Sequence, residues 1–278
     1  MKQKKNIYTP AADIFSMFFV LLIFGAPFYF MLINSLKNRR EAGLMNLKLP
    51  EKILFIENYA QVIEANNYMI IRAFINSVLI TAGGILLLII VCSLGGYILQ
   101  RAAGKLMNGI SFFLLTGLML PPAILPSIWI LNILGIYRTL FGMILIEAAL
   151  QIPFTAMLYR GYTATIPGEM EESAFMDGCS SVKMFARIIF PLLKPVTATI
   201  IVLSAVTIFN DFVNPLYFLP GTRNPTVQLT LYNFIGRFSS SYNLLFANVV
   251  LITIPPLVLF IFFNQRIVSG ITAGAIKG

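Results

Sequence analysis

The chain has 278 residues, of which 58% are hydrophobic and only 11% charged, with a mean hydropathy of +0.84. A soluble domain carries about 25% charged residues, so the composition excludes an ordinary water-soluble globule and makes this an integral membrane protein. The formal net charge is +9, but Lys and Arg are scattered in ones and twos between apolar runs, as in loops facing anionic lipid headgroups, and form no nucleic-acid surface.

Lys2, Lys4 and Lys5 precede an uncharged run from Ile14 to Leu36, long enough to cross ~30 Å of hydrocarbon. This first span is longer than a signal-peptide core and lacks a small-residue cleavage site, so it is expected to stay as an anchor. Lys37 to about Arg72 is the longest polar passage and the best placed to carry structure outside the bilayer. Span 2 is expected from about Ala73 to Leu99. Span 3 begins near Leu106 and runs through Pro121, Pro122 and Pro126, so it should kink or break there, with Trp129 and Tyr137 at its interfacial end. Span 4 covers roughly Leu140 to Leu158. An acidic loop separates it from span 5, about Pro195 to Phe218. A turn over Pro220 to Pro225 and a second polar loop lead to span 6, about Leu244 to Phe263. The expected fold is therefore all-α, with six transmembrane helices, both termini on one side, and a short helix between helices 4 and 5. The chain reads as a single membrane-spanning domain, divided into residues 1–72 (helix 1 and its polar loop), a bundle over 73–263 and a tail over 264–278.

The acidic loop is the one strongly charged, helix-shaped passage. Glu169, Glu171, Glu172 and Asp177 are four of the eleven acidic residues. Pro167 suits the first turn of a helix, the three glutamates crowd the end where the helix dipole favours negative charge, and Gly178 supplies the stop. A helix of roughly ten residues is too short to stand alone in water, so it must lean on the bilayer surface, its own bundle or a partner protein.

Glu172-Ser173-Ala174, three residues, Gly178, nine residues and Ile188-Ile189-Phe190-Pro191 resembles the EAA loop of ATP-binding-cassette importer permeases. That pattern is Glu-Ala-Ala, three residues, Gly, nine residues, Ile-x-Leu-Pro; this chain departs at Ser173 and Phe190. The ending Gln265 to Gly278, Leu134-Gly135-Ile136 with Thr139, and Asn210-Asp211-Phe212 with Pro215-Leu216 look like the maltose-type, carbohydrate-uptake branch. The resemblance implies a cytoplasmic coupling helix that docks in an ATPase groove through Glu169, Glu172, Ser173, Ala174, Met176, Asp177, Gly178, Ile188 and Pro191. It also implies a second, homologous permease as heterodimer partner, two ATPase subunits holding ATP and Mg, and an extracytoplasmic sugar-binding protein, all at the cytoplasmic membrane. Charge counting cannot fix the orientation: with the N-terminus inside, eleven Lys and Arg fall on the inner side and nine on the outer.

This chain itself offers no enzyme site and no cofactor site. Gly104-Lys105 lacks the upstream Gly and the following Ser or Thr of a phosphate-binding loop, no nucleophile–base set is present, and with no His and two separated cysteines there is no metal cluster. Thr197, Ser204, Thr207, Asp211 and Asn214 follow one another at spacings of seven, three, four and three, which puts them on one helical face. Such a stripe either packs helices closely or meets water or substrate; a carboxylate such as Asp211 within a span faces a cavity or a partner. Glu147 and Gln151 in span 4 share a face with Thr155, and Glu147 is expected to line the path or pair with an Arg. Asn210, Asp211, Asn214 and Tyr217 supply the mix of donors, acceptors and aromatic faces that a sugar path needs. Two readings stay open: the same importer architecture for another solute such as a glycerol phosphate, and an ion-coupled carrier using Glu147 and Asp211.

Overall fold

A computed structural model describes residues 10–235 and 240–275. Lys2, Lys4, Lys5, Arg237 and Lys277, which entered the charge count, and the last residues of the tail lie outside the described residues. Every regular element among the described residues is helical. The chain divides into two units, Met1–Ile70 with Thr230–Thr253, and Ile71–Leu229 with Ile254–Gly278.

In the first unit α1 (Pro10–Ser35) is apolar, largely exposed from Ile14 to Tyr29 and buried in its last turn at Ile33, Asn34 and Ser35. The Asn38 side chain accepts from the Glu41 amide at 2.9 Å and caps α2 (Arg39–Gly43). The polar passage carries structure: α3 (Phe55–Arg101) starts within it, well before the Ala73 expected for span 2. That helix is interrupted at Ala65–Tyr68, where Asn66, Asn67 and Tyr68 all take positive φ. Asparagine tolerates this region better than most residues, and Asn-Asn at this point is the local reason for the break. The passage is held by buried polar contacts. Lys37, 1% exposed, donates to Asn34 Oδ1 at 3.0 Å, Asn46 O at 2.8 Å and Asn46 Oδ1 at 2.9 Å. Burial lowers its pKa from the ordinary lysine value and the Glu41 carboxylate opposes that shift. Asn58 donates to the carbonyls of Ser35 (2.8 Å) and Lys37 (2.9 Å) and accepts from Asn243 at 2.8 Å.

The second unit holds the rest of α3, α4 (Lys105–Met119), α5 (Ile124–Ile133), α6 (Leu140–Thr163), α7 (Glu169–Met176), α8 (Ser181–Leu192), α9 (Lys194–Phe209) and α10 (Val213–Phe218). Helices α4 and α5 meet at 117° across the Pro121-Pro122 break, as the prolines require. The Thr139 hydroxyl caps α6 by accepting from the Gly142 amide at 3.0 Å. Small residues let helices close on one another: a Cβ on Gly96 would lie 2.5 Å from Tyr159 Cβ and 2.8 Å from the Ala156 carbonyl. Leu88, Cys92, Tyr159, Ile189, Leu193 and Ile200 form the core where α3, α6, α8 and α9 meet.

Span 5 departs from expectation. It is not one helix from Pro195 to Phe218 but α9 and α10, separated at Asn210–Phe212. Pro215 explains this, since its ring would clash with the carbonyl four residues earlier, that of Asp211. In the last element, α11 (Tyr242–Ala275), Pro255 and Pro256 lie inside the helix. Among the described residues three helices are long and apolar enough to cross a membrane, or up to five if each bent pair is one span.

Candidate functional site

The short acidic helix forms as α7, two residues later than Pro167 suggested: Gly168 is its N-cap and Pro167 lies ahead of it. Its end is the expected stop. Gly178 has φ +72°, its amide bonds the Phe175 carbonyl at 3.0 Å, and the Cys179 amide bonds the Ala174 carbonyl at 3.0 Å. These two bonds close the helix with a left-handed glycine.

One face of α7 is fixed to the bundle. Glu171 is buried and takes two contacts at its root, Arg101 Nε on Oε1 at 2.7 Å and the Tyr97 hydroxyl on Oε2 at 3.0 Å, while the same arginine is steadied by Nη2 on the Ile166 carbonyl at 2.7 Å. Ala174 is buried beside it. Both carboxylate oxygens thus have donors, one of them charged, which makes this the strong kind of pairing. The sequence signal for it was available only in part: Arg101 ends span 2 and Glu171 sits among the acids, but nothing in their spacing, 70 apart, joins them.

The opposite face is open. Glu169, Glu172, Ser173, Asp177 and Gly178 are exposed, and so are Met170, Phe175 (53%) and Met176 (88%), followed by Val182 at the start of α8. Ile188 and Pro191 are half-buried, Ile188 inside a π-helical turn over Phe185–Ile189 that packs on the core. Single exposed apolar residues need no explanation, but four together beside three carboxylates mark a contact surface.

A second group gathers at the break in span 5. Asp211 Oδ1 accepts from the amides of Val213 (2.8 Å) and Asn214 (3.3 Å), and its Oδ2 from the Asn214 side chain at 2.5 Å, so it caps α10. The stripe on span 5 is therefore cut. Thr207, Asn210 and Tyr217 are exposed and Asp211 and Asn214 half-buried, whereas Ser204 is buried and Thr197 bonds Tyr159 at 2.9 Å, which makes that end of the stripe a packing seam. Glu147 is 3% exposed and borders a small cavity that Asp211 also lines. Gln151 donates to the Glu147 carbonyl at 3.4 Å, on its own helix. Asn76 and Ser77 hold the following loop, by Asn76 Nδ2 to Pro225 O at 2.9 Å and Val227 N to Ser77 Oγ at 3.1 Å.

Residues 93–273 match the family model described as binding-protein-dependent transport system inner membrane component. The chain is 33% identical over 255 residues to the melibiose/raffinose/stachyose import permease protein MelC of Bacillus subtilis, covering 91% of each. It is also 33% identical to the probable starch degradation products transport system permease protein AmyC of Thermoanaerobacterium thermosulfurigenes, covering 92% of this chain and 93% of that one. The fold is similar to that of a chain in the crystal structure of a bacterial ABC transporter involved in the import of the acidic polysaccharide alginate, with a TM-score of 0.80 at 20% identity over 95% of this chain and 98% of the other.

Proposed function

The chain belongs to the family of binding-protein-dependent transport system inner membrane components, and from that premise we propose that it is one permease subunit of an ATP-driven sugar importer. In this reading six helices cross the cytoplasmic membrane, both termini face the cytoplasm, and the whole chain acts as one permease domain. A second permease, two ATPase subunits carrying ATP and Mg, and an extracytoplasmic sugar-binding protein complete the machine, and this chain holds no nucleotide. The names of the relatives, a melibiose/raffinose/stachyose permease and a starch-product permease, support a sugar as the solute.

The single observation that carries the coupling role is the two-sided character of α7. Its inner side is locked to α3 by Glu171, Arg101 and Tyr97, while Met170, Phe175 and Met176 stand free with Glu169 and Glu172 around them. A lever needs both a rigid root and a gripped tip, and apolar anchors rimmed by charge suit a protein groove. The solute path is placed along the open side of the span 5 break, where Thr207, Asn210, Asp211, Asn214 and Tyr217 alternate donors, acceptors and an aromatic face. Lys37, although cationic, is occupied by Asn34 and Asn46 and is not free to hold an anionic solute.

The test is a purified, reconstituted complex assayed for ATPase activity and sugar uptake. Phe175→Ser with Met176→Ser should leave the complex assembled in the membrane yet abolish uptake. Normal uptake in that variant would remove α7 from the mechanism.

A further inference from the structure

Glu147 and Asp211 pose a problem that the transport reading does not solve. They come from different elements, α6 and the break before α10, and their carboxyls lie within hydrogen-bonding reach of each other. Glu147 is 3% exposed. Both border a small cavity with Ser77, Ile80, Ile208, Phe209, Pro215 and Thr226. Taken element by element, α3 contributes Ser77 and Ile80, α9 Ile208 and Phe209, α10 Pro215, and the loop after it Thr226, with the Asn214 side chain a hydrogen-bond neighbour of both carboxyls. None of these is titratable or charged, and the one ion pair among the described residues, Arg101 with Glu171, is elsewhere.

Two adjacent carboxylates cannot both remain ionised in such a place, because like charges at hydrogen-bond distance, out of water, each disfavour the charged form of the other. One positive charge must sit between them. The donors around the pair say where. Asp211 accepts three N–H groups, from the Val213 and Asn214 amides and the Asn214 side chain, so its lone pairs are already taken up by donors. Glu147 Oε1 is buried without any hydrogen-bond partner, which a carboxylate would not tolerate and a carboxylic acid tolerates far better. The cavity, about 10 Å³, holds one water at most, and Thr226 Oγ1 is likewise buried and unpartnered on its wall.

We propose that Glu147 and Asp211 form a one-proton site, with the proton on Glu147 and hydrogen-bonded to Asp211. The proton fastens α6 to the break in span 5: with it, the two side chains attract; without it, two anions push α6 and α10 apart. The pair is thus a positioning device for the broken span and stands independently of the solute's identity.

The direct reading is infrared absorption of the full-length chain in lipid nanodiscs at about pH 8, where unperturbed carboxyls are ionised. A carboxylic-acid C=O band is expected in the wild type, shifted by carbon-13 glutamate labelling, absent in Glu147→Gln, and unchanged when choline replaces sodium. Absence of the band, or a band that shifts on aspartate labelling instead, overturns the assignment. A band that appears only when sodium is withdrawn overturns it too, since a metal cation would then hold the pair. If Glu147→Gln does not fold, the two labelling experiments on the wild type decide alone.

Discussion

Glu171 and Glu147 are both buried glutamates in the same unit, yet their surroundings are opposite. Glu171 meets a guanidinium and a phenol, at 2.7 and 3.0 Å; Glu147 meets another carboxyl and leaves one oxygen without a partner. The first is a fixed clamp whose removal damages structure, the second a group whose state depends on what neutralises it. Burial alone therefore says little about a membrane carboxylate. Its nearest donor decides whether it anchors or responds.

The contrast can be broken or sharpened by substitution. The largest effect is expected from Gly96→Ala, whose Cβ would press on Tyr159 Cβ and on the backbone of Ala156 and Arg160. Backbone cannot yield, so α3 and α6 should separate near the root of the clamp at a cost of about 1–3 kcal/mol, seen as a lower melting temperature of the complex. Gly84→Ala, the matching change near Glu147, meets the flexible end of Ile208 at 2.9 Å and should cost less. Next is Arg101→Ala, which leaves Glu171 without its cation. The pair is partly solvated, with side-chain exposures of 25% and 12%, so about 1–2 kcal/mol is expected, with uptake falling more than ATPase activity. Restoration by the exchanged pair Arg101→Glu with Glu171→Arg would show that the charge contact itself matters. Gly178→Asp adds no clash but forces an L side chain to φ +72°, about 1 kcal/mol. The protein should remain in the membrane with uptake uncoupled from ATP hydrolysis. Met176→Gln should change the melting temperature least, within what exposed positions tolerate, and still reduce uptake; an unchanged uptake rate would deny the open face its role.

Much of this architecture was legible in the residues. The apolar runs, the prolines between α4 and α5, and the glycine that ends α7 each act through local geometry, and local geometry can be read along a chain. What stayed hidden was made by distance. Glu171 and Arg101 are 70 residues apart and Glu147 and Asp211 64, and no periodicity joins them. The break in span 5 was hidden for another reason: Thr197 to Asn214 keep helical spacing, which drew the eye away from Pro215, the residue that ends the helix. The helical start of α3 at Phe55 was missed although Phe55, Tyr59 and Val62 keep helical spacing, because the charged and polar residues between them made the passage read as one extramembrane segment.

The central claim is that the free face of α7 is held by an ATPase subunit. A photo-crosslinking amino acid at Met176, in the assembled complex in native membranes, tests it most directly. An adduct between this chain and the ATPase subunit is the expected product. Adducts with lipid alone, or labelling of Cys179 by an impermeant thiol reagent only from outside the cell, would contradict it.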